Sequence, residues 1–175
     1  MVEAELISRA KKGDKHAFAS LYGLYKDRLY RYALYRLGNT EDANDAVCDT
    51  ILKAYEQIGS LRKTSAFGSW IFAIHSAVCS GYIKEQIRKR ELCSIDDFKS
   101  SSELKCALNT QSLELNEAMS ALSEQEKDIV LLSIAAGFNS KEISKLTGLN
   151  DGTVRSKLSR SLAKMRAFWG DSYEK

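Results

Sequence analysis

Apolar residues recur at intervals of three and four positions along most of this chain, and this spacing is typical of amphipathic helices. In the first half the pattern predicts helices over residues 3–12, 15–37, 40–58 and 66–90. In the second half it predicts shorter helices over 113–122 and beginning near residues 123, 139 and 150. No segment alternates apolar and polar residues as a half-buried strand does, and the sequence contains no proline. The chain is therefore predicted to be all-α.

The helical periodicity fades between residues 92 and 112, where the sequence is polar and rich in serine. Such a composition is typical of a linker. Residues 1–91 and 113–175 are therefore predicted to form two small helical domains joined by a flexible linker.

The second domain carries the spacing of a helix-turn-helix. Ser123 and Glu126 have the arrangement of a capping box, in which each side chain bonds to the backbone N–H of the other residue. Asn139 and Glu142 repeat this spacing at the next helix, and Gly148 follows it as a tight turn. Two short capped helices around a glycine turn are the layout of a DNA-binding helix-turn-helix.

The last helix has separate apolar and polar faces. At about 100° per residue, one stripe comprises Val154, Leu158, Leu162 and Met165. The candidates for contact with DNA in the major groove are the polar residues near its start, Thr153, Arg155, Ser156, Lys157, Ser159 and Arg160. Residues 141–166 carry seven basic side chains against two acidic ones, which suits phosphate contact. The alternative is a helical hairpin with a solvated basic face.

The first domain contains an acidic helix and an aromatic one. Residues 40–58 carry five acidic side chains against Lys53, and they form either a solvated face or a surface that docks on a protein. A polar loop at 59–65 then precedes a helix that ends in a basic run. Aromatic side chains beside a basic loop can hold unstacked bases. Phe67 and Trp70 could serve this role or lie in the core, and for Trp70 the core is favoured.

Composition excludes several classes of function. The 175 residues carry a net charge of only +3, so bulk charge does not drive binding. The four cysteines show no C-x-x-C pairing, and neither histidine has ligand spacing, so free thiols in a reducing cytosol are preferred to a metal site. No signal peptide or uninterrupted apolar span is present, which predicts a cytoplasmic chain without membrane insertion. No residue cluster suggests an enzyme or a cofactor.

Four motifs together resemble the bacterial RNA polymerase sigma factors of the extracytoplasmic-function (ECF) type. The first is Gly-Asp followed by Ala-Phe, at residues 13–18. The second is the acidic-helix signature at Asp42-Ala43, Asp45 and Ala54-Tyr55, and the third is Ser65, Phe67, Trp70 and Ile71. The fourth, in the second domain, comprises Glu142-Ile143, Gly148, the run 152–156 (GTVRS) and Arg160. The likeness covers nearly the whole chain, about residues 6–90 and 113–168.

The resemblance implies a role for each part of the chain. The acidic helix would dock on the largest subunit of core RNA polymerase, with candidates Asp42, Asp45, Asp49 and Lys53. The loop 61–67 and the following helix would hold the melted minus-ten promoter element, with candidates Arg62, Lys63, Thr64, Ser65, Phe67, Lys84 and Arg88. The helix-turn-helix would bind the minus-thirty-five element. The linker would run toward the polymerase active site, and an anti-sigma factor would clamp the two domains.

The sequence departs from the family at two positions. The long helix of the first domain usually carries an Asn and, four residues later, an Asp, where this chain has Ala77 and Gly81. This change predicts an altered promoter preference or weaker melting. It also keeps open a degenerate sigma-like chain that binds polymerase without recognising promoters. A further alternative is a stand-alone helix-turn-helix regulator, which would explain the second domain but not the acidic and aromatic helices of the first.

Overall fold

The computed structural model describes residues 3–92, 115 and 117–173, with side chains described as far as residue 91 in the first domain and residue 168 in the second. The helices are α1 Glu3–Ala10, α2 Lys15–Leu37, α3 Thr40–Gln57, α4 Phe67–Leu92, α5 Glu124–Ile134, α6 Ser140–Thr147 and α7 Asp151–Tyr173. No strand occurs within these residues, so the all-α prediction is confirmed. Most of the predicted linker lies outside the described residues, and its bounds stay a prediction.

Local capping interactions determine where α2 and α3 begin. Asp14 accepts hydrogen bonds from the backbone N–H groups of His16 and Ala17, which have no partner inside the helix. Gly38 ends α2 with a φ of 78°, a conformation that costs glycine little. Asn39 then caps α3 by accepting from the backbone N–H of Asp42. The predicted boundaries of α2 are confirmed because these signals are local in sequence.

The first domain packs α1, α3 and α4 around α2. Its core is dense in aromatic rings at helical spacing, and Tyr32, Phe67 and Phe72 are among the largest completely buried side chains. Tyr32 and Phe72 meet edge to face, with ring centroids 6.0 Å apart. The tyrosines at this spacing therefore belong to the core rather than to a base-stacking surface.

The second domain packs α5 and α6 against α7, and both predicted capping boxes are present, at Ser123 with Glu126 and at Asn139 with Glu142. Gly148 ends α6 with a φ of 72°. The buried apolar side chains of these three helices include Ile129, Val130, Leu132, Ile143, Val154 and Met165. Ile134 is 62% exposed. It lies in the last turn of α5, beyond the region that α7 covers.

The two domains are in direct contact, because α5 and α6 lie against α2 and α4 of the first domain. Residues 117–120 are also helical, and Ala118, Met119 and Leu122 are buried.

One segment of the described residues, Thr64–Glu91, is long and apolar enough to cross a membrane by length and composition alone. It coincides with α4, which supplies Phe67, Ile71 and Phe72 to the core of the first domain. Its apolar character is accounted for by that packing.

Candidate functional site

The turn before α7 fixes the direction of the candidate recognition helix. The hydroxyl of Ser144 donates to the carbonyl of Leu149 at 2.6 Å, so the small side chain bridges the turn. Asn150 caps α7 by accepting from the backbone N–H of Gly152 at 2.8 Å. Val154, which is completely buried, anchors the first turn of α7 in the domain core. The polar face of α7 is thereby held outward.

The predicted DNA-contacting residues of α7 lie on one accessible side of the second domain. Four of them are exposed: Arg155, Ser156, Ser159 and Arg160. The other two, Thr153 and Lys157, are half-buried. The Nε atom of Arg155 lies 3.4 Å from Asp151, and its side chain is 68% exposed. Such an exposed pair contributes little to stability, so this guanidinium can turn to a phosphate or a base.

The loop between α3 and α4 forms two short 3₁₀ turns, Ile58–Ser60 and Thr64–Ala66. The ammonium of Lys11 donates to the carbonyl of Leu61 at 2.6 Å and fastens the loop to the end of α1. Between and beside the turns, Arg62, Lys63 and Ser65 are exposed and Thr64 is half-buried. The structure thus brings these four predicted minus-ten residues together on one loop.

Phe67 is buried in the core, whereas Trp70 packs at its edge and is partly accessible. Phe67 is 1% exposed and meets the ring of Tyr25 edge to face at 5.2 Å, so its assignment as a base contact was wrong. Trp70 is half-buried and packs against the core, with its ring centroid 5.7 Å from that of Phe67, so the core assignment favoured for it is confirmed in part. It lines an open cavity of about 410 Å³ together with Arg62 and Lys63. Helix α4 begins at Phe67, and the helical rotation between the two residues turns Trp70 outward.

Trp70 also begins a continuous face along α4. At about 100° per residue, Trp70, Ala77, Gly81, Lys84 and Arg88 all lie within an arc of about 60°. We call these five residues the α4 face. All but Trp70 are exposed, and the face extends for about 27 Å at the helical rise of 1.5 Å per residue. It has an aromatic ring at one end, small residues in the middle and basic groups at the other end.

Side chains of α4 form hydrogen bonds with two of the predicted docking residues on the acidic helix α3. Asp42 accepts a hydrogen bond from the amide of Gln86 at 2.6 Å, and Asp49 accepts one from the hydroxyl of Tyr82 at 3.0 Å. Partial burial, and then this bond to Asp49, raise the pKa of Tyr82 to about 12. Asp45 is exposed on the outer side of α3.

Lys53, the fourth predicted docking residue, is also exposed. Between it and Asp45 lies an apolar side chain that the sequence pattern did not single out, Leu52, which is 63% exposed. Seven residues, or two helical turns, separate Leu52 from Asp45, so both lie on one face. Its position outside the buried stripe of α3 was the signal that could have identified it.

The thiol and imidazole groups within the described part of the chain are too dispersed to hold a metal ion. Among the residues that the structure describes, no group of three His, Cys, Asp or Glu side chains could hold a metal ion. Cys48 is exposed and Cys79 is buried, both as free thiols, and burial raises the pKa of the Cys79 thiol to about 12. Cys93 and Cys106 lie outside the described residues.

This arrangement is that of a helix-turn-helix protein built from two helical domains. Family profiles agree with both: the one described as Sigma-70 region 2 matches residues 21–90, and the one described as Sigma-70, region 4 matches residues 112–165. The chain belongs to the ECF-type RNA polymerase sigma factors, which are promoter-specific transcription initiation factors and not enzymes.

Curated relatives agree with this assignment. The chain is 27% identical over 158 residues to the ECF RNA polymerase sigma factor BldN of Streptomyces coelicolor. The aligned region covers 87% of this chain and 60% of BldN. The chain is 24% identical to the ECF sigma factor SigM of Mycobacterium tuberculosis (96% and 85% covered) and 27% identical to the ECF sigma-E factor of Escherichia coli (92% and 91% covered).

Two solved structures share the fold. CnrH in complex with the cytosolic domain of CnrY superposes with a TM-score of 0.75 at 19% identity, and 97% of each chain is covered. The sigma factor RpoE in complex with the anti-sigma factor NepR from Bartonella quintana gives a TM-score of 0.72 at 21% identity, covering 87% of this chain and 96% of RpoE.

Proposed function

We propose that three surfaces of this sigma factor divide the steps of promoter-specific initiation. The outer face of α3 binds core RNA polymerase, the minus-ten loop (residues 61–67) with the α4 face holds melted promoter DNA, and the exposed face of α7 binds the upstream duplex. The observation that carries this proposal is the pairing of an exposed recognition helix with an open cavity where Trp70 of α4 lies beside two basic side chains of the minus-ten loop.

The minus-ten loop has the chemistry that a single strand requires. Trp70 offers an aromatic face in an open cavity, with Arg62 and Lys63 at its rim. Stacking of a base on an aromatic ring contributes about 1–3 kcal/mol, and basic groups beside it contact the backbone phosphates. Lys84 and Arg88, at the far end of the α4 face, extend the basic track.

The face of α7 suits duplex DNA instead. Its exposed arginines can contact base edges or phosphates, and the local excess of basic residues supports phosphate neutralisation. Binding of the upstream element should therefore weaken steeply as salt concentration rises.

The face of α3 suits a protein. Asp45 and Lys53 flank the exposed side chain of Leu52, which gives a polar rim around an apolar contact. Asp42 and Asp49 stand beside it in orientations that the bonds from α4 restrict.

An anti-sigma factor is a further proposed partner. Support comes from the two structural neighbours. RpoE is bound to the anti-sigma factor NepR, and CnrH is bound to the cytosolic domain of CnrY. Such a partner would control access of this chain to polymerase.

The proposal is tested by mixing the full chain with sigma-free core polymerase and mapping transcription starts on genomic DNA. A stable complex that initiates at defined sites supports the proposal. Duplex binding without affinity for the core enzyme would instead indicate a stand-alone regulator.

Ala77 and Gly81 favour a second candidate, a sigma-like chain that binds polymerase without melting promoters. Both residues are exposed on the α4 face and present no polar side-chain group to DNA. In the same experiment this candidate predicts a stable complex with core polymerase that yields no specific start sites.

A further inference from the structure

The first of two arginine contacts between the domains involves Arg36 of α2. Its guanidinium bridges two carboxylates on α5, with Nε 2.7 Å from Asp128 and Nη1 2.5 Å from Glu124. The hydroxyl of Tyr32 lies 2.9 Å from the same Asp128 oxygen and donates to it. The Arg36 side chain is only 7% exposed, so its guanidinium is largely desolvated, whereas Asp128 is 26% and Glu124 60% exposed. Loss of one partner from such a cluster is costly, because the other charge is left without compensation.

The second contact is formed by Arg28, two turns earlier on the same helix. Its Nε donates to the carbonyl of Ala136 at 2.7 Å, and its Nη2 donates to the same oxygen. The guanidinium also lies 5.2–5.5 Å from the ring centroids of Tyr25, Phe72 and Phe138. Phe138 of the second domain meets Phe72 of the first edge to face, with centroids 5.0 Å apart. An aromatic side chain of the second domain is thus inserted into the first.

These contacts place α6 beside the minus-ten loop. The open cavity lined by Trp70, Arg62 and Lys63 is bordered on its other side by Lys145 and Leu146 of α6. A neighbouring cleft of about 700 Å³ is lined on one side by residues 63–66 of the loop and on the other by Glu142 and Lys145. The space that a single strand would need is therefore bordered by the second domain.

The same arrangement cannot span a promoter. The two elements lie about 25 base pairs apart, or about 85 Å along B-form DNA. Lys145 lines the cavity of the minus-ten loop, and no more than about 30 Å of backbone connects it to Arg160 on the recognition helix. The two DNA-binding surfaces are thus held at less than half of the required separation, and the domains must part before both elements are bound.

We propose that the face of α2 and α4 around Arg28, Arg36 and Phe72 is an intramolecular docking surface for the second domain, which keeps the free chain in a self-inhibited, closed form. This inference rests on the proposed function, because it assigns the cavity beside Trp70 to single-stranded DNA. Polymerase and promoter, which bind surfaces on both domains, would favour the open form. Affinity of the free chain for DNA is reduced in proportion to the open fraction.

The test uses the full chain without polymerase and the variant Arg36→Glu. Small-angle scattering measures the radius of gyration, which is about 16 Å for a compact chain of this length. Fluorescence anisotropy measures the affinity for a labelled single-stranded oligodeoxythymidine. We expect Arg36→Glu to increase the radius by several ångströms and the affinity by about tenfold, although it removes a positive charge from a DNA-binding protein. The double variant Arg36→Glu with Asp128→Arg should restore both wild-type values.

Arg31→Glu is the matched control, because this exposed arginine on α2 bonds only to the carbonyl of Asp27 in its own helix among the contacts described. It should leave the radius unchanged and should not raise the affinity. If Arg36→Glu fails to fold by circular dichroism, Glu124→Gln with Asp128→Asn removes the same contacts from the other side. A wild-type chain that is already extended would overturn the proposal, as would opening without a gain in affinity.

Transcription with saturating core polymerase separates this inference from the proposed function. If wild type and Arg36→Glu both initiate while their radii and affinities are the same, only the closed form is disproved. If neither initiates at defined sites, the proposed function itself fails.

Discussion

The Nδ1 atom of His75 lies 2.7 Å from the hydroxyl oxygen of Thr50, and both side chains are completely buried where α4 packs on α3. The other ring nitrogen, Nε2, lies 2.9 Å from the carbonyl of Leu29, to which it donates. The single proton of the Thr50 hydroxyl is shared between Nδ1 and the carbonyl of Ala46, which lies 2.6 Å away, and the neutral ring uses its own proton for the bond to Leu29. Burial lowers the pKa of His75 to about 4, although the bond to Leu29 acts in the opposite direction.

This burial predicts that the first domain loses stability in mild acid. The unfolded chain binds a proton near the ordinary histidine pKa of about 6.5, whereas the folded chain does so only near 4, so stability is fully present above pH 6.5 and falls as the pH drops toward 4. Between pH 7 and pH 5 the free energy of unfolding should decrease by about 2 kcal/mol from this group. Urea denaturation at both pH values measures the change.

Two histidine variants test whether His75 is the group that causes this loss of stability in acid. His75→Gln should lower stability at pH 7 but reduce the loss between pH 7 and pH 5, because the titrating group is gone. His16→Gln, at an exposed position in the first turn of α2, should leave the loss unchanged. If His75→Gln retains the whole pH dependence, another group is responsible.

The helices and their ends could be predicted from sequence because the forces that fix them are local. Ser123 and Glu126 need only each other to cap α5, and Gly148 needs only its own backbone freedom to end α6. The recognition face of α7 follows from the same periodicity, because one buried residue such as Val154 defines the opposite side.

The remaining features depend on residues far apart in the chain. Arg36 and Asp128 are 92 positions apart, and no periodicity links them. Phe67 and Trp70 are both aromatic and three residues apart, so composition could not decide which is buried. Tyr25, from another helix, contacts Phe67 and settles the assignment. The prediction of Phe67 as a base contact was wrong for this reason.

Arg155→Ala should weaken binding of the polymerase complex to upstream duplex DNA by about 1–3 kcal/mol while leaving affinity for core polymerase intact. The side chain is exposed and its ion pair with Asp151 is weak, so removal should hardly change folding. Electrophoretic mobility shifts with duplex DNA and pull-down of core enzyme measure the two affinities.

Lys164→Ala is the control for Arg155→Ala, because it removes the same charge from the same helix. The Lys164 ammonium lies 2.9 Å from Glu126 of α5 and so faces the domain rather than the recognition side. It should affect duplex binding far less. Equal losses of DNA and core affinity in Arg155→Ala would contradict the role proposed for this arginine.

Leu52→Ala should reduce affinity for core polymerase by about tenfold, because burying a leucine side chain at an interface contributes about 1.5–3 kcal/mol. The residue is 63% exposed in the free chain, so the free energy of unfolding should change by less than about 0.5 kcal/mol. The affinity is measured by titrating labelled sigma factor with core enzyme. Leu24→Ala, at a 57% exposed leucine on α2, is the matched control and should bind normally; similar losses in both variants would remove Leu52 from the interface.

Gly81 offers a gain-of-function prediction, because a Cβ atom built there has no heavy atom within 4 Å. The double variant Ala77→Asn with Gly81→Asp introduces the polar residues usual in the family on the exposed α4 face. Two added hydrogen bonds of about 0.5–1.5 kcal/mol each should increase open-complex formation by at least about threefold, as measured by permanganate reactivity of melted thymines. Gly81→Ala controls for helix propensity, since it should stabilise α4 by about 0.5–1 kcal/mol without aiding melting. If Gly81→Ala increases melting as much as the double variant does, helix stability rather than contact with DNA limits this sigma factor.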